Sequence, residues 1–193
     1  MKKIHYFLLI LVAVLASNCD TNDDGFYKNV FIEVPNLVTI ETQPNYAVGD
    51  FLYLNASFPK ILNDGALIDI YQSTGGAPSF DFSYIIERKV NATDWEVVTI
   101  NSNQLAINKG DALYTPLYIL GICEYNEVTI SYEFNVGFPL LTAGQYRLSY
   151  GYNSDSKNSV ELRSASSNTN LILNINSITG NLDANGYYNF TVN

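Results

Sequence analysis

The stretch Val128-Thr129-Ile130-Ser131-Tyr132-Glu133-Phe134-Asn135-Val136 decides the fold class. Its large apolar residues fall at every second position, with Thr129, Ser131, Glu133 and Asn135 between them and Glu127 before them. A period of two sends successive side chains to opposite faces, so the pattern predicts a strand with one face on a core and one toward water. The same period recurs outward along the chain. Tyr146, Leu148, Tyr150 and Tyr152 alternate with Gln145, Arg147, Ser149 and Gly151. Leu52, Leu54, Ala56 and Phe58 make another face. Phe80, Phe82, Tyr84 and Ile86 stand opposite Asp81, Ser83 and Glu87. Leu171, Leu173 and Ile175 stand opposite Asn174 and Asn176, and Tyr188, Phe190 and Val192 alternate with Asn189 and Thr191. After Cys19 no stretch carries a helical period with caps.

Turn residues punctuate these runs. Asn91-Ala92-Thr93-Asp94 separates the strand ending near Lys89 from Trp95–Ile100. Asn63-Asp64-Gly65 and Asn185-Gly186 are turn signals, and Leu140–Gly144 joins the two most regular strands. Ser154–Ser159, Ser164–Asn168 and Ser73–Pro78 read as loops. Sheets with one polar face are commonly antiparallel and must bury the other face against a second layer. The expected fold is all-β, an antiparallel β-sandwich in one domain spanning 26–193.

Two segments sharpen that expectation. Leu141-Thr142-Ala143-Gly144-Gln145-Tyr146-Arg147-Leu148 resembles the turn, small residue and tyrosine that lead into a late strand of immunoglobulin-like and fibronectin-III-like domains. Phe82–Arg88 followed by Trp95-Glu96-Val97 resembles a fibronectin-III hairpin. The resemblance implies an immunoglobulin-like sandwich and carries no functional residue.

The amino terminus has a different character. Lys2 and Lys3 precede the uncharged run Tyr6–Ala16. Eleven apolar residues are too few for a membrane span, which needs about 20, and suit the core of a secretory signal. Leu15-Ala16-Ser17-Asn18-Cys19 resembles a lipobox, with Asn18 standing where a small residue is usual. The resemblance implies a signal peptide over residues 1–18 and a diacylated Cys19, whose two acyl chains would hold the protein on a membrane. The polar, acidic stretch 19–25, with Asp20, Asp23 and Asp24, reads as a flexible tether. It also resembles the surface-export signal of Bacteroidota-type lipoproteins. Together these imply an outer-membrane lipoprotein facing either the cell surface or the periplasm.

Removing residues 1–18 from 193 leaves 175. It takes Lys2 and Lys3 from the 10 Lys and Arg, so 8 remain against 19 Asp and Glu, a net charge of −11. Such a surface lacks the clustered cations that nucleic acid needs. The one histidine, His5, leaves with the signal. The mature chain then holds no imidazole for a Ser-His-Asp or Cys-His nucleophile or for a histidine-ligated metal. Cys19 is taken by lipid, so Cys123 has no disulfide partner. Its apolar setting, Leu117–Cys123, reads as a buried, inert thiol.

The remaining candidates are modest. Asn181-Leu182-Asp183-Ala184-Asn185-Gly186 resembles the start of a calcium loop, yet Val192 stands where the closing Glu belongs, so a plain turn is the preferred reading. Glu87 with Glu96, and Glu124 with Glu127, are the carboxylate pairs able to approach one another as a glycosidase requires. Solvated surface acids are the commoner explanation. Aromatic residues are abundant, with 15 Tyr and 10 Phe. Phe51 and Tyr53 fall opposite the Leu52/Leu54 face, and Tyr114, Tyr118 and Tyr187 lie in or near loops. Either they fill the core or they form a platform for a sugar or a protein. The sequence thus points to a non-enzymatic binding or adhesion module for a protein or glycan partner, with no cofactor. A structural component of an envelope complex and a carboxylate-dependent polysaccharide hydrolase are the alternatives.

Overall fold

A computed structural model describes residues 28–151, 157–165 and 169–193. The signal, Cys19, the acidic stretch and Tyr152 lie outside the described residues. The strands run Lys28–Glu33 (β1), Val38–Glu41 (β2), Phe51–Pro59 (β3), Ile61–Asn63 (β4), Leu67–Asp69 (β5), Ser79–Lys89 (β6), Trp95–Val97 (β7) and Ala106–Lys109 (β8). They continue with Asp111–Tyr114 (β9), Ile119–Asn126 (β10), Ser131–Pro139 (β11), Gly144–Ser149 (β12), Ser159–Ser164 (β13), Leu171–Ile178 (β14) and Tyr188–Val192 (β15). The described residues are nearly all β. One departure is a single helical turn, Ile70–Ser73, too short to leave a period in the sequence and capped by Asp69, which accepts from the Gln72 amide at 2.9 Å.

The main sheet runs β1-β14-β13-β6-β10-β11-β3-β2. It is mixed, not wholly antiparallel as expected, because β1 pairs parallel with β14, Lys28 opposite Leu171 and Ile32 opposite Ile175. Parallel pairing joins strands far apart in sequence and has no local turn to announce it. β6 curls the structure. Its first half pairs with β13 and β10, and its second half with β12 and β7. One strand therefore pairs with four others as the sheet curls.

The inner face holds the residues that alternation marked. Leu52, Leu54, Ala56 and Phe58, Phe80 to Ile86 at every second position, Tyr132, Phe134 and Val136, and Tyr146, Leu148 and Tyr150 are all buried. Phe58 stacks on Tyr132 at 5.4 Å, Phe80 meets Tyr132 edge-on at 4.8 Å, and Phe82 meets Phe134 edge-on at 5.0 Å. Each such ring contributes about 2–3 kcal/mol through burial. Tyr132 Oη donates to the Ala77 carbonyl at 2.9 Å, which satisfies its one buried polar atom.

Three expectations are corrected. Val128 and Ile130 are not on the core face. They sit in the β10–β11 turn, 90% and 50% exposed, and the strand begins at Ser131. Asn126 forces this, because its Oδ1 accepts from the Val128 amide at 2.9 Å and the Thr129 amide at 3.3 Å, closing a turn where the apolar alternation predicts a strand. Second, the polar face is not uniformly wet, since Ser83, Ser131, Glu133 and Asn174 are buried. Third, Ser159 and Ser164, assigned to loops, are the ends of β13.

Candidate functional site

Among the described residues, two of the recesses follow from how strands part. The first lies where β13 leaves β6. Register places Arg163 beside Asp81 and Ser164 beside Phe80, and there the pairing stops. The gap is a cavity of about 480 Å³ lined by Asp81, Phe82, Leu120, Glu161, Arg163 and Ser164. Asp81 is half-buried. Burial pushes its carboxyl above the ordinary value of 3.8, and the hydrogen bond donated by Ser79 Oγ at 2.7 Å draws it only part of the way back. Arg163 is exposed. The recess thus offers a cation, two carboxylates and the apolar wall of Leu120.

The second recess is a notch of about 420 Å³, lined among others by Lys109, Gly110, Glu124, Glu127 and Glu133. The β8–β9 hairpin wedges β10 and β11 apart to make it, β9 pairing with β10 and β8 with β11. Gly110 turns that hairpin at a φ of +67°, and a Cβ there would strike the carbonyl oxygens of Ile122 and Glu133. Glu133 receives Lys109 Nζ at 3.2 Å and Asn126 Nδ2 at 3.1 Å. Burial acts to raise its carboxyl, but these donors outweigh it and hold Glu133 below the usual range.

The sequence candidates fall as follows. Glu124 and Glu127 share the notch, joined by Glu133, which the sequence did not single out. Glu87 and Glu96 are not brought together. Antiparallel register sets Glu96 opposite Arg88, on the other face of the hairpin from Glu87. Glu87 instead binds Arg147 Nε at 2.6 Å. The Arg147 guanidinium lies 4.5 Å from the Trp95 ring and 4.2 Å from the Tyr187 ring, so these two aromatics clamp a cation.

Asp183 forms a turn. Its Oδ1 accepts from the Asn185 amide at 2.8 Å and the Tyr187 amide at 3.0 Å, and its Oδ2 from Asn189 Nδ2 at 2.7 Å. The carboxylate is occupied by its own loop. Phe51 and Tyr53 are half-buried, their rings 6.0 Å apart, and fold over Gly137 on the next strand. Tyr114 and Tyr118 are half-buried too, so none of these rings stands free as a platform. Cys123 is fully buried, and burial, with the Asp81 charge, pushes its thiol well above its ordinary value.

The Asp81–Arg163 recess escaped the sequence reading because its residues come from three strands that only the sheet order brings together. Compared with known protein families, curated proteins and solved structures, the chain gives no match.

Proposed function

We propose that the protein is a lipid-anchored, non-enzymatic binding module of the outer membrane, whose immunoglobulin-like domain takes a protein or glycan partner at the Asp81–Arg163 recess. The recess carries the reading. It is concave, open, and lined by a cation, two carboxylates and one apolar wall, a donor and acceptor set suited to a polar chain. The immunoglobulin-like assignment is supported by Tyr146, whose Oη donates to the Thr142 carbonyl at 2.7 Å in the manner of a tyrosine corner, and by the β6–β7 hairpin. The anchor is supported by the charged start, the short apolar core and the lipobox-like run ending at Cys19.

A panel of envelope proteins and polysaccharides tests the reading. Wild type binds one member, and Arg163→Glu weakens that binding at least about tenfold, the effect of reversing a contact worth 1.4 kcal/mol or more. No binding across a broad panel, or binding indifferent to Arg163, overturns it.

One observation favours a second reading, a carboxylate-dependent hydrolase: Glu124, Glu127 and Glu133 share one notch. Glu133 is held ionised by Lys109 and Asn126, so Glu124 and Glu127 would have to supply acid and base. Hydrolysis of a cell-surface polysaccharide that Glu124→Gln abolishes would establish it.

A further inference from the structure

The described chain begins at one end of the molecule, and hydrogen bonds trace what surrounds it. Lys28 donates to the Asn170 carbonyl at 2.7 Å. Thr169 Oγ1 donates to the Thr74 carbonyl at 3.0 Å, just past the helical turn. The amide of Ile70, which opens that turn, donates to the Lys60 carbonyl at 2.8 Å, and the Lys60 amide to the Ile130 carbonyl at 3.3 Å. Lys28, the β4–β5 hairpin and the β10–β11 turn therefore share this end.

The same two hairpins present bare apolar side chains. Ile61 is 46% exposed and Leu67 78%, and register puts both on one face of the β4–β5 ribbon. Val128 and Ile130 crown the other turn. Ile130 is held outward at a φ of +54°, a conformation that β-branched residues resist. Four exposed apolar residues on these two hairpins lose nothing by entering a headgroup layer and gain burial there.

Tether length selects the end that can touch lipid. Eight residues lie between Cys19 and Lys28, so the nine steps from one to the other reach about 30 Å when fully extended. β6 alone runs eleven residues, about 36 Å. With the domain inverted, the tether could not reach back to the bilayer. Val48, Val90 and Leu141, exposed at the Asn193 end, are thus out of reach.

We propose that the Lys28 end docks on lipid, with Ile61, Leu67, Val128 and Ile130 resting in the headgroup layer of the bilayer that holds Cys19. This rests on the lipid-anchor reading. The mature chain is strongly acidic and Glu127 flanks Val128, so the favoured surface is zwitterionic, not anionic.

The test uses the full chain, processed and reconstituted into phosphatidylcholine vesicles containing nitroxide-labelled lipid. An environment-sensitive fluorophore is attached to Val128→Cys or, as control, to Leu141→Cys. Cys123 is buried and does not compete. The label at 128 is quenched about twofold or more and the label at 141 is not, because a docked tip sits within the interface. Leu67→Asp with Ile61→Asp reverses the quenching. Equal quenching at both sites, or none at 128 in protein whose mass shows diacylated Cys19, overturns the docking and leaves the anchor intact. Blue-shifted but unquenched emission at 128 means that protein, not lipid, covers the tip, and also overturns it. Absence of lipid on Cys19, with no vesicle association, overturns the anchor reading and the docking with it.

Discussion

Two carboxylates on the outer face titrate in opposite senses, and the difference lies in their neighbours. Asp81 has one donor and a half-buried carboxyl raised above its ordinary 3.8. The stability it contributes is present in full below its unfolded value and is lost as pH rises through the folded one. Asp81→Asn should therefore raise the melting temperature at pH 7, and the gain should vanish below about pH 4. Glu133, with Lys109 and Asn126 as donors, is lowered from its ordinary 4.5. Its contribution is present above that value and is lost as pH falls through the folded one. Glu133→Gln should lower the melting temperature at pH 7 and leave it unchanged in strong acid. Thermal melts of both variants across pH 2–8 check the two signs. Ile130 supplies a third expectation at this scale. Its left-handed backbone costs about 1–2 kcal/mol for an ordinary side chain, and Asn adopts that conformation more easily. Ile130→Asn should shift the denaturation midpoint upward by about 1 kcal/mol of stability at unchanged slope.

At the scale of elements, what was legible in the sequence follows from the range of the interaction that fixes it. The core faces of β3, β6, β11 and β12 were legible because alternation is local and burial of one face enforces it. The Asn91–Asp94 and Asn63–Gly65 hairpins were legible because their turn residues carry the geometry. The start of β11 was misread, since Val128 and Ile130 continue the apolar period into a turn that Asn126 closes with its side chain. The β8–β9 wedge was missed altogether. It makes the acidic notch, yet Ala106–Tyr114 has no clean period, and its place between β10 and β11 depends on Gly110. Gly110→Ala should cost about 2–4 kcal/mol, since it combines a strained φ with a collision against two carbonyl oxygens that no rotamer relieves. Chemical denaturation measures the loss. A variant as stable as wild type would mean that the hairpin tip can shift, and that the notch is less fixed than its register implies.

At the scale of the molecule, the address and the recess must be compatible. Asp81 is the third residue of β6, so the recess opens on the flank of the sheet about 10 Å above the Lys28 end. A domain docked by that end holds the recess low over the bilayer, where a partner embedded in or bound to the same membrane meets it more readily than a free polymer. On the proposed lipid-anchored reading, the side of the membrane the protein faces would turn on Asp20, Asp23 and Asp24. As an export signal, their charge is needed for passage to the cell surface. As a plain tether, any polar sequence of that length would serve. Protease added to intact cells should cleave the wild-type protein. It should spare a variant with all three acids changed to Asn, which stays lipidated and sediments with the membranes. Cys19→Ala should leave the membrane fraction entirely, because one uncleaved apolar run of eleven residues is too short to span. A wild-type chain protected until the outer membrane is broken would assign the acids to the tether alone, and the membrane-associated partner would then be sought in the periplasm.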